Sequence, residues 1–233
     1  MSDSNRYIPK ISVVIPAYNE EESIGLVIKS LPQNKIKEII VVNNGSTDKT
    51  ASIAKQYGAR VVNEICRGYG AACLKGISEV NDPEIVVFVD GDFSDYPEEI
   101  EILVKPIVEN RADFVLGSRM IFSESRAALL PQARYGNLLA VFLIRLFFRY
   151  KFTDLGPFRA IRYQSLKEIS MTDKNFGWTV EMQIKAVKHG LKIMEIPVHY
   201  RKRIGVSKIT GTISGTFKAG IKIIFTIFKF LLT

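Results

Sequence analysis

Apolar residues in the first half of the chain fall into short continuous runs, and most of these runs end in small polar residues. The runs are Ile11 to Ile15 (ISVVI), Glu38 to Val42 (EIIVV), Ala59 to Val62, Ile85 to Val89 (IVVFV) and Asp113 to Gly117. Their length and β-branched content predict strands buried on both faces, the kind found in parallel sheets. Segments of helical character separate them. One runs to about Leu31, led by Glu20, Glu21 and Glu22, whose charge suits a first helical turn. Another follows the turn Asn43 to Asp48 and reaches about Tyr57. A third opens at Arg67-Gly68-Tyr69-Gly70, and a fourth starts near Pro97. Strands alternating with helices at this spacing predict an α/β fold, a doubly wound, mostly parallel sheet with helices on both faces.

The second half has another texture. Leu138 to Arg149 predicts an apolar helix with Arg145 and Arg149 four residues apart, either a core helix with two surface arginines or a helix beside a membrane or lipid chain. Ile213 to Leu232 predicts a C-terminal amphipathic helix with Lys218, Lys222 and Lys229 in a narrow arc, flanked by Ser214 and Thr226. Lysines in mid-segment argue against a spanning helix and for one lying in a membrane interface. The rival reading is a helix packed on the domain with a solvated lysine face.

Composition narrows the function classes. The 233 residues are 47% hydrophobic and 24% charged, as in globular proteins, with a formal net charge of +8. That balance favours an anionic partner. The lysines alternate with apolar turns rather than forming a basic patch with stacking aromatics, so nucleic acid is disfavoured. Cys66 and Cys73, with no metal-ligand pattern nearby, read as reduced thiols of a cytosolic protein. The N-terminal MSDSNRYIPK carries no apolar signal segment. His189 and His199 have no spacing partner and read as structural.

The candidate chemistry lies where the strands end. The fourth strand runs into Asp90-Gly91-Asp92, two carboxylates that can turn toward one hard cation, Mg²⁺ or Mn²⁺, sharing its shell with substrate phosphates. The first strand leads to Pro16-Ala17-Tyr18-Asn19-Glu20, the second to Asn43-Asn44-Gly45-Ser46-Thr47-Asp48, and the fifth to Ser118-Arg119. Amides, carboxylates and an arginine at one sheet edge suit a nucleotide site. Gly68-x-Gly70 is an incomplete dinucleotide fingerprint outside the first strand-to-helix turn, which disfavours NAD.

Val14 to Glu20, Val42 to Asp48, Asp90-Gly91-Asp92 and Gly117-Ser118-Arg119 together resemble the family-2 glycosyltransferases of the GT-A fold. Thr153 to Ala160, Trp178 to Met182, Glu195 to Val198 and Tyr200 to Lys208 extend the resemblance to the branch of polyprenyl-phosphate sugar synthases (dolichol-phosphate mannose or glucose synthase-like) over nearly the whole chain. Two departures stand out. Asn43 and Asn44 replace the family's base-reading aspartate, and Ser94 beside Asp95 replaces a metal-binding glutamine, which leaves the third metal ligand open between those two.

The resemblance implies an inverting enzyme that moves a sugar from a UDP- or GDP-sugar to a polyprenyl phosphate with a divalent metal. Asp90 and Asp92 would hold the metal; Asp92, Arg119 and Asp154 would be catalytic. Pro16, Tyr18, Glu20, Asn43, Asn44, Asp90, Arg134, Arg201 and Arg203 would bind substrate, the arginines meeting phosphate. A phosphate acceptor is largely dianionic at neutral pH, its second pKa being about 6, and needs no general base. A hydroxyl acceptor does need one, and Asp154 is the candidate. Asp154→Asn would therefore separate the two acceptor types. The rivals are a hydroxyl-acceptor transferase of the same family and a non-catalytic nucleotide-sugar-binding or scaffolding protein. A catalytic domain at 1–208, with a nucleotide-sugar half to about 120 and an acceptor half beyond, would precede the helix at 209–233. Peripheral attachment at the cytoplasmic membrane face, or a membrane-protein partner, completes the expectation.

Overall fold

The computed structural model describes residues 9–205 and 213–232, with side chains of 213–218 outside the description. Seven strands form one sheet: β1 (Ile11–Ala17), β2 (Glu38–Asn43), β3 (Arg60–Asn63), β4 (Ile85–Phe88), β5 (Phe114–Ser118), β6 (Arg159–Arg162) and β7 (Ile193–Pro197). Their order is β3-β2-β1-β4-β6-β5-β7. Pairing is parallel except at β6, which runs antiparallel between β4 and β5. The last two strands carry no long apolar run: β6 is Arg-Ala-Ile-Arg, and β7 contains Glu195. Because β6 and β7 flank β5, the sheet is continuous across position 120.

The expected runs are strands because both faces are covered. Along β4, Ile85 and Val87 face one core while Val86 and Phe88 face the other, the period of two that a pleated strand imposes. The first core is closed by α1 (Ile24–Ser30), α2 (Thr50–Gln56) and α4 (Ile100–Val108). The second is closed by α3 (Tyr69–Glu79), α6 (Pro131–Phe148), α7 (Tyr163–Ile169), α8 (Trp178–Lys188) and α9 (Ile213–Leu232). The short α5 (Ser123–Ala128) precedes α6.

Two elements differ from expectation. The three glutamates do not open a helix, since α1 starts at Ile24. The backbone N–H groups of Glu20 and Glu21 donate instead to Thr50 Oγ1 and Asp48 Oδ2, and the Glu21 carboxylate accepts from Lys49, which stitches this turn to the loop after β2. The apolar helix α6 begins earlier than Leu138, at Pro131, a residue whose fixed φ and missing N–H suit a first helical position.

The C-terminal helix packs on α6 and α8 through Ala219, Thr226 and Ile227. Its exposed surface is not lysine alone: Lys229 is exposed, but so are several large apolar residues. Lys222 turns to Asp173 at 2.7 Å, while Ile221, Phe225, Phe228 and Leu232 are exposed. Beside them, α6 exposes Tyr135, Leu138, Phe142 and Leu146, and Phe147 meets Phe228 across the helix pair at 5.3 Å. No described helix is long and apolar enough to cross a membrane.

Candidate active site

A cavity of about 320 Å³ opens where β1 and β4 end at their carboxyl edge, the usual ligand position in open α/β sheets. Its wall includes Pro16, Tyr18, Glu20, Asn44, Asp90, Asp92 and Arg203 from the expected set, and also Arg67, Tyr69 and Phe176.

The acidic pair is held from both sides. Tyr69 Oη donates to Asp90 Oδ1 at 2.9 Å. Burial, then the neighbouring Asp92 charge, push the Asp90 carboxyl up to about 7. Asp92 Oδ1 accepts from the Ser94 N–H at 3.0 Å and Ser94 Oγ at 2.5 Å, a local turn made possible by Phe93 at φ +60°. Asp92 Oδ2 meets Arg203 Nη1 at 3.0 Å, and Arg203 Nη2 meets Glu20 Oε1 at 2.6 Å. Burial also raises the Glu20 carboxyl, against the pull of Arg203.

A divalent cation fits this arrangement. Desolvation and like charge already oppose ionisation of Asp90, and a cation at the pair would offset both. Of the two third-ligand candidates, Ser94 is engaged with Asp92, and Asp95 is buried outside the cavity wall. Among the described residues no third acid, histidine or cysteine joins the pair in a metal-binding group. Two carboxylates plus substrate phosphates and water is how Mg²⁺ sites are commonly filled. Asp95 Oδ1 has no hydrogen-bond partner, and burial and the Asp90 charge hold its carboxyl well above the ordinary range.

The two asparagines act on the loops. Asn44 Nδ2 donates to the carbonyls of Glu64 and Cys66, and its Oδ1 accepts from Gly68 N–H. Asn43 bonds Asn63 and the Ser46 N–H and is not in the cavity wall. Arg67, missed from the sequence, lies instead over the Tyr18 ring at 4.0 Å. Tyr69 was missed as well; its signal was the Gly68-x-Gly70 helix opening, which positions a hydroxyl rather than a dinucleotide.

Arg119 stands behind this cavity and lines a second one. Its Nε and Nη2 reach Asp154 Oδ2 and Oδ1, both at 2.8 Å, and its own N–H donates to Oδ2. Asp154 is fully buried, and Oδ1 also accepts from Leu155 N–H. Both oxygens of Asp154, the expected candidate for a general base, are thus engaged by Arg119. Asp154 has no oxygen facing either cavity, and it positions Arg119. Asp154→Asn would disturb Arg119 whatever the acceptor, so it cannot separate acceptor types. Arg201 is likewise locked: Nε and Nη2 donate to the carbonyls of Phe93 and Asp95, and its guanidinium stacks between Phe93 and Tyr96. It fastens the loop carrying Asp92 rather than facing a phosphate. Arg134 is exposed on the first turns of α6, outside both cavity walls. Of the motif at 200–208, positions 206–208, including Lys208, lie outside the described residues.

The second cavity, about 410 Å³, lies between α6 and α9. Ala133, Gly136, Leu155, Ala219, Ile223 and Ile224 make it apolar, and Arg119 supplies a cation at its wall.

Residues 12–170 fit the family described as glycosyl transferase family 2. The chain belongs to that family. It is 35% identical over 213 residues to an uncharacterised protein of Methanocaldococcus jannaschii, covering 87% of this chain and 88% of the relative. It is 32% identical over 206 residues to a dolichyl-phosphate hexose transferase of Haloferax volcanii, covering 85% and 86%. A UDP-N-acetylglucosamine–dolichyl-phosphate N-acetylglucosaminyltransferase of Methanococcus voltae is 28% identical over 211 residues, covering 81% and 84%. In fold, the chain resembles glucosyl-3-phosphoglycerate synthase of Mycobacterium tuberculosis, solved with Mn²⁺, UDP and glucosyl-3-phosphoglycerate. The TM-score is 0.75 at 23% identity, covering 95% of this chain and 80% of that one.

Proposed function

We propose that this glycosyltransferase moves a sugar from a nucleotide diphosphate sugar to a polyprenyl phosphate, with inversion at the anomeric carbon and a divalent cation at Asp90 and Asp92. The observation that carries the acceptor is the apolar cavity between α6 and α9 with Arg119 in its wall. An isoprenoid chain suits the apolar walls, and a phosphate suits the guanidinium. The names of two relatives, both acting on dolichyl phosphate, support the same acceptor.

In this reading the first cavity takes the donor. The cation, when bound, would neutralise the diphosphate as it leaves. Tyr69 and Ser94 hold the two aspartates in place, and Arg203, close to both Asp92 and Glu20, adds positive charge at the same wall. Arg119, oriented by Asp154, holds the acceptor phosphate. That phosphate attacks as a dianion, so the site needs no base, in keeping with the engagement of both Asp154 oxygens.

The exposed apolar faces of α6 and α9, bordered by exposed Arg145, Arg149 and Lys229, suit a membrane interface that delivers a lipid acceptor. The combined Phe142→Glu and Phe225→Glu variant should lose most of its sedimentation with vesicles containing phosphatidylglycerol, since each change places a charge in the buried plane. Unchanged sedimentation would remove the membrane from this reading.

The direct test is transfer of radiolabelled sugar from a panel of UDP- and GDP-sugars into organic-extractable polyprenyl phosphate. Label should enter the organic phase with Mn²⁺ or Mg²⁺ and stay out with EDTA. Label in a water-soluble product alone would overturn the lipid acceptor. No transfer or hydrolysis from any donor would favour a binding protein.

A further inference from the structure

Six residues, Thr172 to Gly177, form a strap between the C-terminal helix and the donor cavity. On the outer side, Lys222 of α9 pairs with Asp173, whose side chain is only 10% exposed. At Gly177 a Cβ would come within 2.3 Å of Thr226 Oγ1, so only glycine lets α9 approach this closely. On the inner side the Lys174 carbonyl accepts the Ala71 N–H at 2.8 Å. A Cβ on Gly68 would lie 2.1 Å from the Lys174 oxygen, and one on Gly70 would lie 2.0 Å from the Asp173 oxygen. The strap is stiff as well as tightly packed. Glu181 accepts the N–H groups of Thr172 and Asp173 at 3.0 and 2.6 Å, and Asp173 Oδ1 accepts that of Asn175 at 2.7 Å.

Both inner ends of this chain of contacts reach the site. Phe176 of the strap stands in the donor cavity wall. Tyr69, the first residue of α3, bonds Asp90. We propose that Asp173 and Lys222 are positioning residues for the nucleotide-sugar site. The seat of α9 sets the strap, and the strap sets Phe176 and the α3 N-terminus that carries Tyr69. The proposal rests on the donor reading of the first cavity and adds to it a dependence on the C-terminal helix. Its physical basis is the lack of slack. The contacts on the inner side are backbone against backbone, so a strap displaced by a few tenths of an ångström moves α3 with it. Without Lys222, the Asp173 carboxylate loses its cation in a poorly hydrated place, and the strap would shift to hydrate it. By reciprocity, whatever seats α9 would favour donor binding, and donor binding would favour a seated α9.

The test uses the full chain with Lys222→Met, which keeps the length and removes the charge, and Lys222→Arg, which keeps the charge. Two quantities are measured. One is hydrogen exchange across residues 68–75. The other is binding of UDP and of GDP, each with Mg²⁺, read from the fluorescence of Trp178. This is the single tryptophan of the chain, fully buried, with its ring 6.0 Å from Tyr69. Lys222→Met should exchange about tenfold faster at 68–75, with β1 unchanged, because opening there no longer works against the strap. Its nucleotide binding should weaken about fivefold, the low end of ordinary coupling between sites. Lys222→Arg should match the wild type in both. Wild-type exchange and binding in Lys222→Met, or equal loss in Lys222→Arg, would overturn the coupling and leave the donor reading standing. A wild-type protein that binds neither nucleotide would overturn the donor reading and the proposal with it.

Discussion

Asp92→Asn should lower kcat for sugar transfer by about 10³-fold, the effect of losing ~4 kcal/mol of charge stabilisation on the leaving diphosphate. The fold should survive. An asparagine keeps the oxygen that accepts from Ser94, and Arg203 keeps Glu20 as its partner. The substitution should also remove any gain in Tm on adding Mn²⁺ or Mg²⁺, a readout independent of turnover. A pH dependence follows from the same pair. Without metal, the folded protein keeps the Asp90 proton up to about pH 7, while the unfolded chain releases it near 3.8. The folded state binds more protons across that window, so stability falls as pH rises through it, and Asp95 contributes with the same sign. Removing the Asp92 charge eases one cause of the Asp90 shift, so Asp92→Asn should show a shallower fall. Thermal melts between pH 4 and 8, with EDTA and with Mn²⁺, measure this. Wild-type kcat in Asp92→Asn would remove the metal from the proposed mechanism.

The second large effect is expected at Arg119. Arg119→Met leaves the fully buried Asp154 carboxylate without its cation, and breaking such a pair from one side costs about 3–5 kcal/mol. Urea denaturation should register that loss, and transfer to polyprenyl phosphate should disappear. The structural and chemical roles can be separated. Combining Arg119→Met with Asp154→Asn removes both charges of the pair while keeping an oxygen for the backbone N–H groups of Arg119 and Leu155. The double variant should recover most of the stability and none of the transfer. Recovery of both would show that Arg119 serves only to neutralise Asp154. Arg119→Lys is the finer probe. It keeps the charge but not the two-pronged geometry toward Asp154, so acceptor KM should rise more than donor KM.

The sheet and its chemically loaded edge were legible because they depend on local pattern. Five strands could be read from continuous apolar runs, and Asp90, Asp92, Pro16, Tyr18 and Glu20 reach one cavity because the strands that carry them end at one edge. The antiparallel β6 was not legible. Its four residues include Arg159, fully buried, which donates to the carbonyls of Leu155, Gly156 and Thr179. Thr179 lies 20 residues away, and nothing in a local window shows that the chain will bring its carbonyl to a buried guanidinium. The same limit explains the roles that changed. A carboxylate in a motif reads as a base until its partner is known, and the partner of Asp154 lies 35 residues away. Arg201 reads as a phosphate ligand until the carbonyls of Phe93 and Asp95 are seen to hold it.

The sequence by itself determined the α/β class, the family, the acidic pair at the end of β4 and the amphipathic character of the C-terminal segment. The class follows from the alternation of apolar runs with helical segments, the family from the resemblance of motifs spread along the chain, and the other two from residue type and spacing within one element. The tertiary structure alone decided which polar groups are free and which are engaged, and which side of α9 faces outward. It paired Lys222 with Asp173, and left Phe225 and Phe228 exposed alongside Lys229. The reason is physical: hydropathy fixes which faces a helix has, whereas the charges and cavities it meets on packing, set by residues distant in sequence, fix where each face points.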